Sequence, residues 1–373
     1  MRVVFAGAGS GGHFYPLIAI AEALRERDKE LNTNTDLYYM GPGAYNQKSL
    51  KALNINFVYC PAGKQRLYRS IFNFTDKFKI FAGIFVAFWK LYFIYPDVIM
   101  SKGGYGSVPI VFAGWILKIP IVVHESDAVP GRANAFAAKF ARYIGVAHDE
   151  VAAHFPKNKV AQVGMPIRRA FFNALSNPHE TAGVPNDKPV ILVTGGSLGA
   201  ERLNNFVLGS LPKLLPNYTI LHQAGDTHAT KVTEDASALV TDKELLGRYF
   251  VVGHLDQDRF AAAEQAASLV ITRAGSTTIF EIALLHKPSI IIPIPEDVSR
   301  DQRSNAYAYA RGGAATVLEE KNLSDDILVA EIERILGDRE VYEKMSQAAK
   351  AFTVGNAAYT LADVLIDIGK EHE

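Results

Sequence analysis

Short aliphatic and β-branched runs punctuate this chain, each followed by a glycine-rich or polar turn and then by a stretch with helical spacing. In the first half the runs are Arg2–Ala6, Asp36–Met40, Asn56–Cys60, Asp97–Met100, Pro120–Val123 and Tyr143–Val146. In the second they are Pro189–Thr194, Tyr218–His222, Tyr249–Val252, Ser268–Thr272 and Ser289–Pro293. Apolar strands separated by helices predict parallel sheets covered on both faces. The rhythm breaks near Val160–Pro166, a polar stretch runs from Ser176 to Asp187, and Asp338–Lys370 reads as helix alone. One α/β architecture used twice is expected: doubly wound, Rossmann-like domains at residues 1–163 and 164–353, with a last helix at 354–373 packing back on the first. A length of 373 residues suits two such cores better than one.

Two of the strand–turn–helix units end in phosphate-sized cradles. Val3–Ala6 runs into Gly7-Ala8-Gly9-Ser10-Gly11-Gly12-His13, and Val190–Thr194 runs into Gly195-Gly196-Ser197-Leu198-Gly199-Ala200. A helix N-terminus behind such a loop attracts anions. One cradle per half suggests two domains facing a cleft and joining two phosphate-bearing substrates. Gly7, Gly9 and Gly12 also satisfy G-x-G-x-x-G, but the second strand ends Tyr38-Tyr39-Met40-Gly41-Pro42 without a carboxylate to hold a ribose. A nicotinamide dehydrogenase is thereby disfavoured. His13, at the mouth of the first helix, reads either as a polar capping residue or as a general base, and the open glycines favour the base.

Composition narrows the setting. Lys+Arg 39 balances Asp+Glu 39, so no global charge recruits nucleic acid. A single cysteine, Cys60, excludes a disulfide framework and fits a reducing compartment. Met1-Arg2 leads straight into a strand, so no signal peptide is expected and the protein is expected in the cytoplasm.

Further polar clusters sit at strand ends. Ser101–Ser107 offers glycines for close backbone approach, and His124-Glu125-Ser126-Asp127 points into the crevice where open α/β sheets bind ligands. For His124 and Glu125 the plainer alternative is a mutual hydrogen bond steadying a loop. Arg168, beside the Gly164–Pro166 turn, reads as a solvated helix residue or as a partner for a diphosphate. Gly275-Ser276-Thr277 again places amides and hydroxyls at a helix mouth. Thr278 and Glu281 there form either a variant capping box or a pair whose carboxylate accepts ribose hydroxyls. Asp301 and Gln302 are suited to sugar hydroxyls.

Taken in order, these motifs resemble the MurG glycosyltransferases. The residues that carry the likeness are Gly9–His13, Gly103–Ser107, His124–Asp127, Gly164–Arg168, Gly195–Ala200, His222–Gly225, Arg273–Thr278 and Asp301–Ala306. The resemblance spans Val3 to about Ala310. It implies a GT-B fold and transfer of N-acetylglucosamine from UDP-N-acetylglucosamine to undecaprenyl-diphospho-muramoyl-pentapeptide (lipid I), giving lipid II in peptidoglycan synthesis at the cytoplasmic face of the cell membrane. It implies His13 as catalytic base and donor contacts at Arg168, Ser197, Leu255, Gly275, Ser276, Thr278, Glu281, Asp301 and Gln302, with Leu255 lining the uracil pocket. Acceptor contacts are expected at Ser10, Gly11, Gly12, Gly103, Gly104, Tyr105, His124 and Asp127. The chain departs from the pattern at Ser10 (usually threonine), at Ser126-Asp127 (usually Gln-Asn) and at Leu198 (usually glutamine). The Asp127 carboxylate keeps another lipid acceptor such as diacylglycerol, or a non-catalytic nucleotide-sugar module, as alternatives.

The expected mechanism is a single in-line displacement with inversion, with Arg168, Ser197 and helix-mouth amides meeting the charge on departing UDP. No DxD-like carboxylate cluster appears, so no metal or cofactor is expected. A lipid-linked acceptor requires an interface, and Phe78–Tyr95 supplies an aromatic stretch with Lys77, Lys79 and Lys90 in and around it and Arg66 and Arg69 upstream. Its uninterrupted apolar length is short of the ~20 residues of a spanning helix. An amphipathic helix lying on an anionic membrane through Phe81, Phe85, Phe88 and Trp89 fits better than a helix wholly buried on the sheet.

Overall fold

The structure is a computed structural model that describes residues 1–7, 10–64, 72–195, 201–296, 300–355 and 357–371. The chain divides into two compact units, Met1–Arg169 with Val354–Glu373, and Ala170–Thr353.

In the first unit the described strands are β1 (Arg2–Gly7), β2 (Asp36–Gly41), β3 (Ile55–Tyr59), β4 (Val98–Gly103), β5 (Ile121–Glu125), β6 (Tyr143–Val146) and β7 (Val160–Gln162). All pair in parallel, in the order β3-β2-β1-β4-β5-β6-β7. Successive β1 side chains enter opposite layers. Val3 and Phe5 pack with helices Gly11–Leu31 and Ala357–Lys370, whereas Val4 and Ala6 pack in the layer that holds Ala87, Leu91, Ile110 and Val111. Burial on both faces is why these strands are apolar throughout instead of alternating. The sheet grows outward in both directions from β1 and β4, so the crevice at their C-terminal ends is the topological switch point.

The second unit repeats this plan with β8 (Val190–Thr194), β9 (Thr219–Gln223), β10 (Tyr249–Val252), β11 (Ala267–Thr272), β12 (Ser289–Ile291) and β13 (Ala315–Val317). The order is β10-β9-β8-β11-β12-β13, all parallel, with the switch point between β8 and β11. Ile191 and Val193 pack into one layer, Val190 and Leu192 into the other.

The strand pattern differs from the sequence reading at several places. β7 and β13 are three-residue strands at the outer ends of their sheets, too short to show periodicity. β4 and β5 continue through Ser101-Lys102-Gly103 and His124-Glu125, which the sequence reading placed just past the ends of those strands. The division between units falls after Arg169, so Gly164–Arg168 belongs with the first unit, where Gly164 accepts a hydrogen bond from His124 and Arg168 stacks on Tyr15. Helix Ala357–Lys370 buries Ala358, Leu361, Ala362, Leu365 and Ile368 in the first unit's core. Its Asp363 takes a bidentate pair from Arg27 (Nε 2.7 Å, Nη2 2.9 Å).

Candidate active site

At the first switch point, helix Gly11–Leu31 starts directly behind the β1 loop, with Ser10 as its N-cap. The Ser10 carbonyl accepts from the N–H groups of His13 and Phe14, and no acidic residue occupies the first turn. The N–H groups of Gly11 and Gly12 are therefore at the open end of the helix dipole. Nδ1 of His13 is buried and without a hydrogen-bond partner. The ring's other contact is with the backbone of Lys102, which favours the protonated ring and so acts as an acceptor. With Nδ1 unpartnered, that ring nitrogen is placed to accept a proton when its lone pair is free. Burial and the Lys102 ammonium push the imidazole down to about 4, against Asp127 and the Lys102 backbone.

Lys102 is the residue that sequence reasoning missed. It is wholly buried, and its Nζ has no hydrogen-bond partner. Burial lowers its pKa, while Glu125 and Asp127 pull it up. In sequence, Ser-Lys-Gly-Gly reads as an exposed loop. Gly103 and Gly104 both have positive φ (88° and 76°), and a Cβ on Gly103 would lie 2.7 Å from Oδ1 of Asn134. Tyr105 is half-buried beside them.

Glu125 anchors the loop that follows β5. Its Oε1 accepts from the N–H of Ser126 (2.8 Å) and Asp127 (3.1 Å). Its Oε2 accepts from the N–H of Gly131 (2.8 Å) and from Nδ2 of Asn134 (3.1 Å). Burial and Asp127 nonetheless push its carboxyl up. His124 does not bond Glu125, which corrects that alternative. Its fully buried ring donates from Nε2 to the Gly164 carbonyl at 2.8 Å. Asp127 is half-buried and acts electrostatically on both His13 and Lys102.

Arg168 is buried, with its guanidinium 4.5 Å from the Tyr15 ring centroid. It also bears on Glu22, whose carboxyl is raised by burial against the pull of the Arg169 N–H and of Arg168.

At the second switch point, Gln223 at the end of β9 ties the end of β8 to the segment after β10: Nε2 donates to Oγ1 of Thr194 (3.4 Å) and Oε1 accepts from the N–H of Leu255 (2.9 Å). The Leu255 side chain is buried with Val190, Leu192 and Leu221. Gly275 caps helix Ser276–Leu284, and a Cβ there would meet nothing within 4 Å, so the space before the helix is open. Thr278 accordingly lies inside the first turn, and the pair with Glu281 is not a capping box. Glu281 is only 3% exposed, below the surface in the second turn. Oγ1 of Thr277 is buried without a hydrogen-bond partner at this mouth. Gln302 fastens the site's rim, its Oε1 accepting from the N–H of Ala274 and of Ile294, 3.2 Å each. Among the described residues no acceptor takes the side-chain N–H donors of Gln302. A cavity of about 210 Å³ opens beside it, lined by Pro293, Ile294, Pro295 and Arg303 among others. Asp301 lies in helix Arg300–Ala310 next to Gln302, while its side chain and the whole of Ser197 lie outside the described residues. A larger polar hollow of about 810 Å³, near Arg25, Thr35 and Asn54, is at the N-terminal ends of β2 and β3, away from either switch point.

Helix Phe72–Ile94 presents a stripe of exposed aromatic rings: Phe81, Phe85, Trp89 and Tyr92 at spacings of four, four and three. Phe85 is 66% exposed and Phe81 72%. Phe88 is half-buried and packs on the core with Ala87 and Leu91, so it leaves the expected membrane set. Among the described residues no helix is long and apolar enough to cross a membrane.

Residues 3–146 match the glycosyltransferase family 28 N-terminal domain, and residues 190–361 match its C-terminal domain. A relative from Bacillus anthracis, named UDP-N-acetylglucosamine--N-acetylmuramyl-(pentapeptide) pyrophosphoryl-undecaprenol N-acetylglucosamine transferase 2, is 37% identical over 349 residues, 92% of this chain and 93% of its own. The enzyme of Shouchella clausii bearing the same name without the numeral is 36% identical over 354 residues, 94% of this chain and 95% of its own. The chain belongs to the MurG family. The crystal structure of Acinetobacter baumannii MurG matches it with a TM-score of 0.73 at 25% identity, covering 98% of this chain and 99% of that one. The fold is accordingly GT-B, built from two Rossmann-like parallel-sheet domains, and the protein is a glycosyltransferase. Within the first unit the structure gathers the MurG-type positions His13, Gly103 and Asp127 around Lys102. Within the second it gathers Gly275, Ser276 and Gln302 around the β11 and β12 ends.

Proposed function

We propose that this protein transfers N-acetylglucosamine from UDP-N-acetylglucosamine to lipid I, with inversion at the anomeric carbon, to form lipid II. The second unit holds the donor: the mouth of helix Ser276–Leu284 faces the diphosphate, and Gln302 offers its N–H donors to the sugar. The first unit holds the acceptor and the base. His13 Nδ1 takes the proton of the acceptor's sugar hydroxyl as that oxygen bonds the anomeric carbon. The bond to the UDP oxygen breaks, and its electron pair leaves with UDP. The observation that carries this reading is the bare, buried Nδ1 of His13 at the switch point of the acceptor unit.

The exposed aromatic stripe, with Lys79 and Lys90 exposed on the same helix, supports a peripheral seat on the anionic cytoplasmic face of the membrane, where a lipid-linked acceptor is within reach. The test is incubation with UDP-N-acetylglucosamine and either a lipid I analogue or diacylglycerol, followed by mass analysis. A product heavier by one N-acetylhexosamine with the lipid I analogue alone is expected; transfer to diacylglycerol alone, or to neither, would refute the assignment.

A further inference from the structure

The β1–β4 pairing contains an irregularity with a functional address. Ala6 lies opposite Ser101 and Gly7 opposite Gly103, so Lys102 is the extra residue of a bulge. Bulges re-aim side chains and recur beside active sites. The residue at the bulge is a wholly buried lysine whose Nζ has no hydrogen-bond partner, and it acts electrostatically on His13, whose Nδ1 has none either. The obvious internal partner is already saturated, because the Glu125 carboxylate accepts four N–H donors. A buried ammonium without an acceptor is costly, and its retention at a ligand site indicates that an acceptor arrives with the ligand.

We propose that Lys102 is a positioning residue for proton transfer: its ammonium keeps His13 an uncharged proton acceptor until a phosphate-class oxyanion of the bound acceptor takes the ammonium over. The proposal rests on the reading of His13 as the base. Burial already disfavours a charged imidazole at His13, and a charged Lys102 beside it disfavours the proton further. Once an oxyanion lies against the ammonium, that repulsion is offset and His13 becomes basic enough to hold the hydroxyl proton in the transition state. The charged groups that face His13 are Lys102 from β4 and Asp127 from the loop after β5. Lys102 in turn faces Glu125, Asp127 and the uncharged ring of His124. Two phenols stand nearby: Tyr39 on β2, whose hydroxyl donates to the Gly7 carbonyl at 3.1 Å, and Tyr105, which acts on Tyr39.

The test is a pH titration of the histidine ring nitrogens by NMR on the full chain, with the His13 signal assigned by its absence in His13→Ala. In the parent protein His13 should stay neutral down to about pH 4. In Lys102→Met its midpoint should move up from the parent value while burial still holds it below the ordinary histidine range, and in Lys102→Arg it should stay low. Inorganic pyrophosphate should raise the midpoint in the parent and leave Lys102→Met unchanged. Farnesyl diphosphate acting at lower concentration would identify the lipid-linked diphosphate as the source, and equal potency would identify phosphate in general. An unchanged midpoint in Lys102→Met, or an equal pyrophosphate response in both proteins, overturns the proposal. Should Lys102→Met not fold, a parent midpoint indifferent to pyrophosphate does so alone. Full turnover by His13→Ala would instead remove the base reading and leave the titration result standing.

Discussion

Nε2 of His124 donates to the carbonyl of Gly164 at 2.8 Å, tying β5 to the segment that leads out of the first unit. Gly164 has φ +82°, and a Cβ there would lie 2.5 Å from the Val354 carbonyl oxygen. Gly164→Ala should therefore destabilise the protein by about 1–3 kcal/mol. His124→Ala, which leaves a buried carbonyl unsatisfied, should cost roughly 1–3 kcal/mol. His124→Gln keeps a donor and should recover part of the loss. Denaturant unfolding followed by circular dichroism measures all three, and an unaltered His124→Ala transition would show that this bond contributes nothing.

Removing the proposed base should separate chemistry from binding. His13→Ala is expected to lower kcat by about 10²–10⁴. UDP affinity, measured by calorimetry, should not change. A variant that turns over at the parent rate would reassign the proton acceptor.

Gln302 combines two jobs that substitution can divide. Its Oε1 holds the N–H groups of Ala274 and Ile294, and a glutamate oxygen would do the same. Gln302→Glu should keep parent stability but lose the donors proposed for the sugar, raising KM for UDP-N-acetylglucosamine about tenfold. Gln302→Ala should raise the same KM and also lower the melting temperature. Equal melting temperatures for the two variants would contradict the bridging role.

The aromatic stripe predicts a split between neighbouring rings. Phe85→Ser and Trp89→Ser should each weaken binding to anionic vesicles by about tenfold or more, from some 1.5–3 kcal/mol of lost burial. Phe88→Ser should weaken it little and instead destabilise the fold, since Phe88 packs inward. Sedimentation with vesicles at two salt concentrations reads both effects, and rising salt should weaken the parent's binding.

A buried histidine sets an acid limit on the second unit. In His222, Nδ1 accepts from the Tyr249 hydroxyl (2.6 Å) and Nε2 donates to Oδ1 of Asn204 (3.1 Å). Burial pushes its pKa down to about 3. Because the folded value is below the unfolded one, the unfolded chain binds the extra proton. Stability is thus complete above about pH 6.5 and falls as pH drops toward 3. His222→Gln should flatten that fall; a parallel pH profile for parent and variant would exclude His222 as its origin.

Much of this was legible in the sequence because both strand burial and glycine turns leave composition marks. The long inner strands were legible as apolar runs, whereas Val160–Gln162 and Ala315–Val317 are too brief to carry a pattern. The site residues at loop tips, such as His13 and Gly275, stood out beside their glycines. Lys102 did not, since a lysine before two glycines looks like solvent-facing loop, and only the register shift against β1 turns it inward. Thr278 and Glu281 mimicked a capping box because the true cap, Gly275, has no side chain to announce it.

The final helix has a practical consequence for anyone dissecting this enzyme. Since Leu361, Ala362 and Leu365 complete the core around β1, a fragment stopping at Arg169 would expose a greasy scar and precipitate. An isolated amino-terminal half would keep that core covered if its tail were spliced back on through a short linker joining the two distant stretches of chain.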